Sequence, residues 1–192
     1  MQEEEIMSYE ECFMVQWGMK KVLIVLCGIF LIGSVYGASP KDLIKDGTIV
    51  YELPYAGITP ENPLYFFKQL RDQIKEFLTR DYIQKAEFLL LSSDKRAHIA
   101  LILAQKGKTR QSVEVLADAE EKAMKIPGIL KESKKQGTAA SEKFIFTLKL
   151  SNSKHREIIQ ELAKMLPQGQ DEQVLSALID INQRIATELE RL

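Results

Sequence analysis

The chain contains little cysteine, histidine, proline or glycine, and each shortage argues against a class of function. Its 192 residues include two cysteines, two histidines, six prolines and ten glycines. Cys12 and Cys27 both precede Ala38, so the chain from Ala38 onward has no cysteine for a disulfide, a thiolate nucleophile or a zinc site. The patterns G-x-x-x-x-G-K-S/T, H-E-x-x-H and G-x-S-x-G do not occur. We therefore expect no cofactor and no enzymatic activity.

An excess of one charge sign is also missing. The formal net charge is -1. Two of the 26 basic and five of the 27 acidic residues precede Ala38, so the remainder carries a net charge of about +2. Such a weak charge does not favour a nucleic-acid partner, because nucleic-acid binding depends on neutralising many phosphates.

The longest apolar run, residues 22–35, is typical of a secretory signal peptide. It follows M-K-K at residues 19–21 and has roughly 14 residues, as expected for an apolar h-region. Gly37 suits cleavage directly after it. An uncleaved anchor is the main alternative, because residues 22–38 contain about 17 uncharged residues, the short limit of a membrane span. A third interpretation of this segment is a buried structural helix.

Both of the first two interpretations of residues 19–38 place the rest of the chain outside the cytoplasm, either secreted, periplasmic or anchored facing outward. We expect membrane contact only through this segment, if it stays uncleaved. Residues 1–18 are acidic and aperiodic. They are either a start-site artefact, with translation beginning at Met19, or the disordered cytoplasmic tail of an anchored protein.

Residues 39–61 show no long periodic pattern, and we refer to them as the arm. Residues 48–53 have the β-branched, alternating character of a strand. No second strand is evident to pair with it, and a lone strand is not stable. We therefore expect the arm to lie extended on the helices.

Residues 62–192 are predicted to form helices. Asn62 is a suitable N-cap and Pro63 suits the first helical position. Four further helices are expected at residues 81–106, 109–126, 140–166 and 171–192. Pro127-Gly128 should end the helix at residues 109–126, residues 131–137 should form a loop or a frayed helix, and Asp81 and Gly107 should bound the helix at residues 81–106. Short connections between long helices predict an all-α, up-and-down antiparallel bundle of four to five helices, with an extended N-terminal arm preceded by a signal or anchor helix.

The start of the first bundle helix carries a family resemblance. The run L-P-Y-A-G-I-T-P-E-N-P-L-Y-F-F-K, residues 53–68, resembles the opening signature L-P-Y-x-G-I-x-P-E-N-P-L-Y-x-x-K of a family of exported bacterial all-helical domains of unknown function. The similarity continues through K-A-E-x-x-L-L-x-x-D-K-R at residues 85–96 and K-H-R-E at residues 154–157. Ala56 departs from it, since the family commonly has a proline there. The resemblance implies a fold and a location, but no activity.

Polar residues on apolar helix stripes form the first candidate site. His155 falls on the apolar stripe of the fourth helix, and Asp94 lies four residues before His98 on the second, beside Arg96. If these helices pack together, Asp94, Arg96, His98 and His155 form a buried polar network that fixes the helix register. The alternatives are that each side chain reaches water, or that the histidines bind metal or sense protons.

An aromatic group forms the second candidate site, made of Tyr51, Tyr55, Tyr65, Phe66 and Phe67. We interpret it as a seam where the arm docks on the first helix, because aromatic residues bury large areas. A ligand groove and an exposed partner surface are the alternatives.

Two functions follow from this pattern. The first is a non-enzymatic exported interaction module at the bacterial cell envelope, whose partner is an unknown envelope protein or peptide. It predicts an exposed apolar surface. The second is a small-ligand or metal-binding bundle that uses a polar cluster around Asp94, His98 and His155, and it predicts a closed polar pocket.

Overall fold

The computed structural model describes residues 42–45, 48–165 and 172–192, with side chains described from Tyr51 onward. Within these residues the chain forms five helices: α1 Tyr65–Leu78, α2 Tyr82–Gln105, α3 Thr109–Lys135, α4 Glu142–Met165 and α5 Glu172–Leu189. The pair α2 and α3 has the most extensive contact. Helix α2 also contacts α1 and α4, and α5 packs on α3 and α4. The predicted all-α bundle is therefore confirmed.

Helix α2 lies at the centre of the bundle. Twelve of its 24 residues are buried, many of them alanine or serine, whose small side chains let α3 approach closely. The helix begins as predicted, because Asp81 accepts a hydrogen bond from the backbone N–H of Gln84 at 2.7 Å. It ends at Gly107, whose positive φ of 73° suits glycine.

Helix α3 continues through Pro127, where the sequence predicted its end. A proline inside a helix costs about 3 kcal/mol because it removes a backbone hydrogen bond. Pro127 is buried, and so are its neighbours Ile126 and Leu130, which pack into the core with α2 and α5 residues. Burial of these side chains outweighs the lost bond, so the predicted helix end at residue 126 is wrong.

Of the two interpretations of residues 131–137, the loop is wrong, because α3 stays helical to Lys135. The helix ends at Gly137, which has a φ of +89°. There the N–H of Thr138 donates to the carbonyl of Ser133 at 3.0 Å, and the Ser133 hydroxyl donates to the carbonyl of Thr138 at 2.7 Å. Gly137 therefore supplies the left-handed residue that ends many helices.

A two-stranded hairpin precedes the helices, which corrects the expectation that no second strand exists. Strand β1, Asp42–Lys45, pairs antiparallel with β2, Thr48–Tyr51, in a register that sets Asp42 opposite Tyr51. Only two residues, Asp46 and Gly47, separate the paired ends. Strand β2 contacts α4, so the hairpin rests on the bundle and has support that a lone hairpin lacks.

The remainder of the arm crosses α2 and turns into α1. Ala56 is buried with Ile99 and Leu103 of α2. Gly57 has a φ of +71°, and the Lys68 ammonium donates to the carbonyls on either side of this turn. Lys68 therefore ties the start of α1 to the arm.

Helix α1 begins at Tyr65, three residues later than the predicted cap position. The Asn62 side chain accepts from the N–H of Leu64 at 2.9 Å, and the Asn62 carbonyl accepts from the N–H of Tyr65. Asn62 thus closes a turn that leads into the helix. This turn keeps Pro63 out of the first helical position.

Several predictions concern residues outside the described part of the chain. These are the leader at residues 19–38, the tail at residues 1–18, the predicted end of one helix at residue 166 and the predicted start of the next at residue 171. Among the described helices, none has the length and apolar character needed to cross a membrane.

Candidate functional site

The first feature is a buried polar cluster, defined here as Tyr51, Asp94, Glu120, Ser151 and His155. Asp94 lies at its centre, is fully buried and projects from α2. One oxygen, Oδ1, accepts from the Ser151 hydroxyl at 2.6 Å and lies 3.1 Å from His155 Nε2. The other, Oδ2, accepts from the Tyr51 hydroxyl at 2.6 Å. Asp94 therefore connects the hairpin, α2 and α4.

His155 extends the cluster to α3. Its Nδ1 lies 2.8 Å from Glu120 Oε1, while its Nε2 faces Asp94. A carboxylate only accepts hydrogen bonds, so an imidazolium that donates from both nitrogens fits this geometry. Burial alone would lower the pKa of His155, but the bonds to Asp94 and Glu120 outweigh it and raise the pKa from 6.5 to about 10.

Two carboxylates therefore share one imidazolium in a site that excludes water. Glu120 Oε2 is buried and finds no hydrogen-bond partner among the residues that the structure describes. An unsatisfied buried oxygen is costly, so the cluster is stable only because the other contacts of its members compensate. Its arrangement can hold α2, α3, α4 and β2 in one register.

Arg96 and His98 do not join the cluster, although the sequence grouped them with Asp94 and His155. Arg96 donates to the carbonyl and hydroxyl of Ser92, and its Nε lies 4.0 Å from an Asp118 carboxylate oxygen. His98 Nδ1 lies 2.8 Å from the carbonyl of Pro54, so it donates to the arm. Within the described part of the chain, no group of three histidine, cysteine or acidic side chains is arranged to hold a metal.

Three members of the cluster were not predicted to belong to it. Glu120 and Ser151 fall on the apolar stripes of α3 and α4, so their presence there was a usable signal. Tyr51 was assigned to the aromatic seam, but its hydroxyl reaches Asp94, 43 residues along the chain. No spacing rule connects two residues so far apart.

A second buried polar contact joins α4 to α5. The amide of Asn182 donates to the carbonyl and the side-chain oxygen of Asn152, at 2.9 and 3.0 Å. The Asn152 amide donates to the Asn182 carbonyl at 3.2 Å, and Arg156 Nε donates to the Asn182 side chain. This reciprocal pairing fixes the relative register of the last two helices.

The five aromatic residues of the predicted seam do not form one buried group. Tyr51 is buried in the polar cluster and Tyr65 is half-buried against Ile99 and Leu103. Tyr55, Phe66 and Phe67 are 78%, 64% and 61% exposed. The seam interpretation is therefore wrong for these three residues, because they point away from the bundle.

The second feature is the outer face of α1, defined here as six exposed apolar residues: Phe66, Phe67, Leu70, Ile74, Phe77 and Leu78. Their spacing places them on one side of the helix. The opposite side is polar and faces the bundle, where Glu76 accepts from Lys122 of α3 at 3.0 Å. Lys75 lies over the Phe88 ring of α2 at 5.0 Å. Helix α1 thus has its apolar side outward, and none of its residues is buried.

The fold and these features define a class of protein: a helical-bundle domain with an internal charged cluster and one helix whose apolar face is uncovered. A family model described as a domain of unknown function, DUF5667, matches residues 57–169, and the chain belongs to this family. No match was found among curated proteins or among solved structures.

Proposed function

We propose that this protein is a non-enzymatic, exported interaction module of the bacterial cell envelope, and that the outer face of α1 is its binding surface. The observation that carries this proposal is the orientation of α1. Its polar side packs on the bundle, while six apolar side chains face outward. Family membership supplies no activity, because the family is described only as a domain of unknown function.

The energetics of burial support a binding role for this face. Covering a phenylalanine or leucine side chain contributes about 1.5–3 kcal/mol. Phe77 is 85% exposed and gains almost nothing from the fold of its own chain. Single exposed apolar residues are ordinary, but a contiguous set on one helix marks an interaction surface.

The export part of the proposal is supported by the sequence alone. The M-K-K start and the apolar run of residues 22–35 have the order of a signal or anchor segment. Either form would carry the bundle out of the cytoplasm.

The buried polar cluster supports a scaffold role for the bundle. Both nitrogens of His155 and both oxygens of Asp94 are engaged inside the protein. The alternative, a small-ligand or metal-binding bundle built around Asp94, His98 and His155, needs convergent polar groups open to a ligand. His98 instead contacts Pro54 in the arm, so no specific observation favours that alternative.

A photo-reactive amino acid placed in the full chain tests the proposal in cells. Position 77 on α1 should label an envelope component, and the labelling should fall strongly when Phe67 and Ile74 are replaced by glutamine. Position 146 is the matched control, because Phe146 is also an exposed phenylalanine but lies on α4. Equal labelling from both positions, or none from position 77, would contradict the proposal.

A further inference from the structure

The charged residues of α1 are unevenly distributed, as its apolar residues are: the exposed ones are basic, and the acidic ones face the bundle. Nine residues of α1 are exposed: the six apolar residues together with Arg71, Gln73 and Lys75. The two acidic residues of the helix, Asp72 and Glu76, are half-buried on the side that faces the bundle. The exposed surface of α1 is therefore apolar and basic, with no acidic residue.

Lys95 of α2 is a further basic residue, which is half-buried and whose pKa responds to charges on α1. Burial lowers the pKa of Lys95, and the nearby positive charges of Arg71 and Lys75 lower it further, while Asp72 opposes them. Arg71 pairs with Asp72 at 2.8 Å and Lys75 lies over the Phe88 ring, and both basic side chains remain exposed.

These observations indicate what covers the outer face. A helix with aromatic and aliphatic residues on one side and basic residues at its edge is the pattern of helices that lie in the interface of a bilayer. The apolar side chains enter the acyl boundary, and the cations meet anionic headgroups. A bilayer satisfies both parts of the surface at once.

A second copy of the chain fits this face less well. Arg71 and Lys75 are four residues apart and so lie along one edge of the helix. In an antiparallel pair of α1 helices the same edges meet, which sets cations against cations. The exposed part of α1 offers no acidic residue to relieve that repulsion.

We propose that the outer face of α1 docks the bundle on the surface of an anionic lipid bilayer. The inference rests on the proposed function, since it names the partner of the same surface. It adds a second membrane contact to any contact that residues 19–38 make.

Depth-dependent fluorescence quenching tests this proposal in the full chain. The chain is reconstituted in vesicles that contain phosphatidylglycerol and lipids brominated in their acyl chains. Trp17 is replaced by phenylalanine, and a single tryptophan is introduced as Phe77→Trp or, as the matched control, Phe146→Trp. We expect the bromines to quench the tryptophan at position 77 and not the one at position 146.

Charge variants separate docking from mere proximity to the membrane. Arg71→Gln and Lys75→Gln should each weaken docking at position 77 about fivefold, the contribution of one basic residue near an anionic surface. Vesicles of phosphatidylcholine alone should give much less quenching. Arg71, Lys75, Phe77 and Phe146 are all exposed, and circular dichroism checks that each variant is folded.

Several results would overturn the lipid proposal. One is an unquenched tryptophan at position 77 in anionic vesicles, and another is quenching that Arg71→Gln and Lys75→Gln leave unchanged. A blue shift that appears without vesicles and grows with protein concentration would assign the face to a second copy. If position 77 labels a protein in cells but is not quenched by lipid, the interaction module stands and its lipid partner does not. If neither occurs, both proposals fail.

Discussion

His155 is the residue on which the interior of the bundle depends most. It supplies the positive charge between Asp94 and Glu120, and all three side chains are at most 1% exposed. Removing one partner of a buried ion pair leaves a charge with neither water nor a counterion. Few other residue types can therefore replace these three side chains without a loss of stability, independently of what the protein surface binds.

The free energy of unfolding should depend on pH because of His155. Its pKa is about 10 in the folded chain and 6.5 for an unperturbed histidine, so its contribution is fully present below pH 6.5 and is lost as pH rises through 10. Between these values stability should fall by up to about 1.4 kcal/mol per pH unit. Denaturant unfolding at pH 6.5, 8 and 9.5 measures this slope.

The matched control for this pH dependence is His155→Gln. It should be destabilised at neutral pH, and the gap from the unmodified chain should narrow as pH rises, because other titrating groups are common to both proteins. Nitrogen-15 NMR of the imidazole gives a direct reading. A neutral ring at pH 8 would contradict the predicted charge state.

Glu120→Ala should lower the free energy of unfolding by about 3 kcal/mol, because it leaves His155 Nδ1 buried without its partner. Glu121→Ala is the neighbouring control. Its carboxylate is exposed and pairs with Lys125, so its loss should change stability by less than about 1 kcal/mol. Equal effects of the two substitutions, measured by thermal unfolding, would show that the cluster adds no stability.

The sequence could identify only part of this cluster. Asp94 and His155 were recognisable because each is a polar residue on an otherwise apolar stripe, and Glu120 carries the same signal on α3. Arg96 could not share the face of Asp94, because residues two apart on a helix point in different directions. Tyr51 depends on a long-range contact of the hairpin, which no local pattern encodes.

At the scale of secondary-structure elements, a glycine inside a helix and a glycine just after a helix end should respond oppositely to alanine. Gly128 lies inside α3 with ordinary helical geometry and open space around its Cα. Gly128→Ala should raise the free energy of unfolding by about 0.5–1 kcal/mol. Gly107 has open space too, but its φ of +73° disfavours a side chain. Gly107→Ala should lower stability by about 1 kcal/mol.

Chemical denaturation of the two glycine variants compares them directly. Destabilisation by Gly128→Ala would mean that α3 is interrupted near Pro127. The sequence suggested that interruption, because proline followed by glycine usually ends a helix. The core contacts of Ile126 and Leu130 override the local preference, and local propensity does not include them.

The hairpin and α1 show two different limits of sequence interpretation. The Asp46-Gly47 pair between two short runs is a recognised hairpin signal, so β1 could have been found from the sequence. The apolar period of α1 predicted a helix correctly, but periodicity does not say which side faces the bundle. The ion pair of Glu76 with Lys122 settles that orientation, and it requires the packed structure.

Because α1 turns its apolar side outward, substitutions on that side should change the free energy of unfolding very little. Phe67→Gln and Phe77→Gln should change the free energy of unfolding by less than about 0.5 kcal/mol, because both side chains are exposed. Leu116→Ala, in the fully buried core, should lower it by about 2–5 kcal/mol. A large loss from Phe77→Gln would mean that α1 turns its apolar face inward in solution.

At the scale of the whole molecule, the bundle and α1 divide two tasks. Inside the bundle, the buried polar cluster and the Asn152–Asn182 pair connect the helices to one another. Helix α1 contributes little burial and presents an apolar and basic surface. An uncovered surface of this kind is useful only where its partner is close, so the proposed role of α1 depends on the export that the sequence predicts from residues 19–38.

Export of the chain is therefore the prediction on which the other functional proposals depend. A reporter enzyme that is active only outside the cytoplasm, fused after Leu192, should be active. Lys20→Glu with Lys21→Glu should reduce its activity by weakening the positive start of the leader.

Sequencing of the mature N-terminus distinguishes the two forms, since a cleaved chain begins at Ala38 and an anchored one keeps the leader. Gly37→Leu is the matched control, because it should block cleavage while export continues. An inactive reporter on the unmodified chain would contradict export and remove the envelope from the proposed function, because residues 22–35 would then have another role.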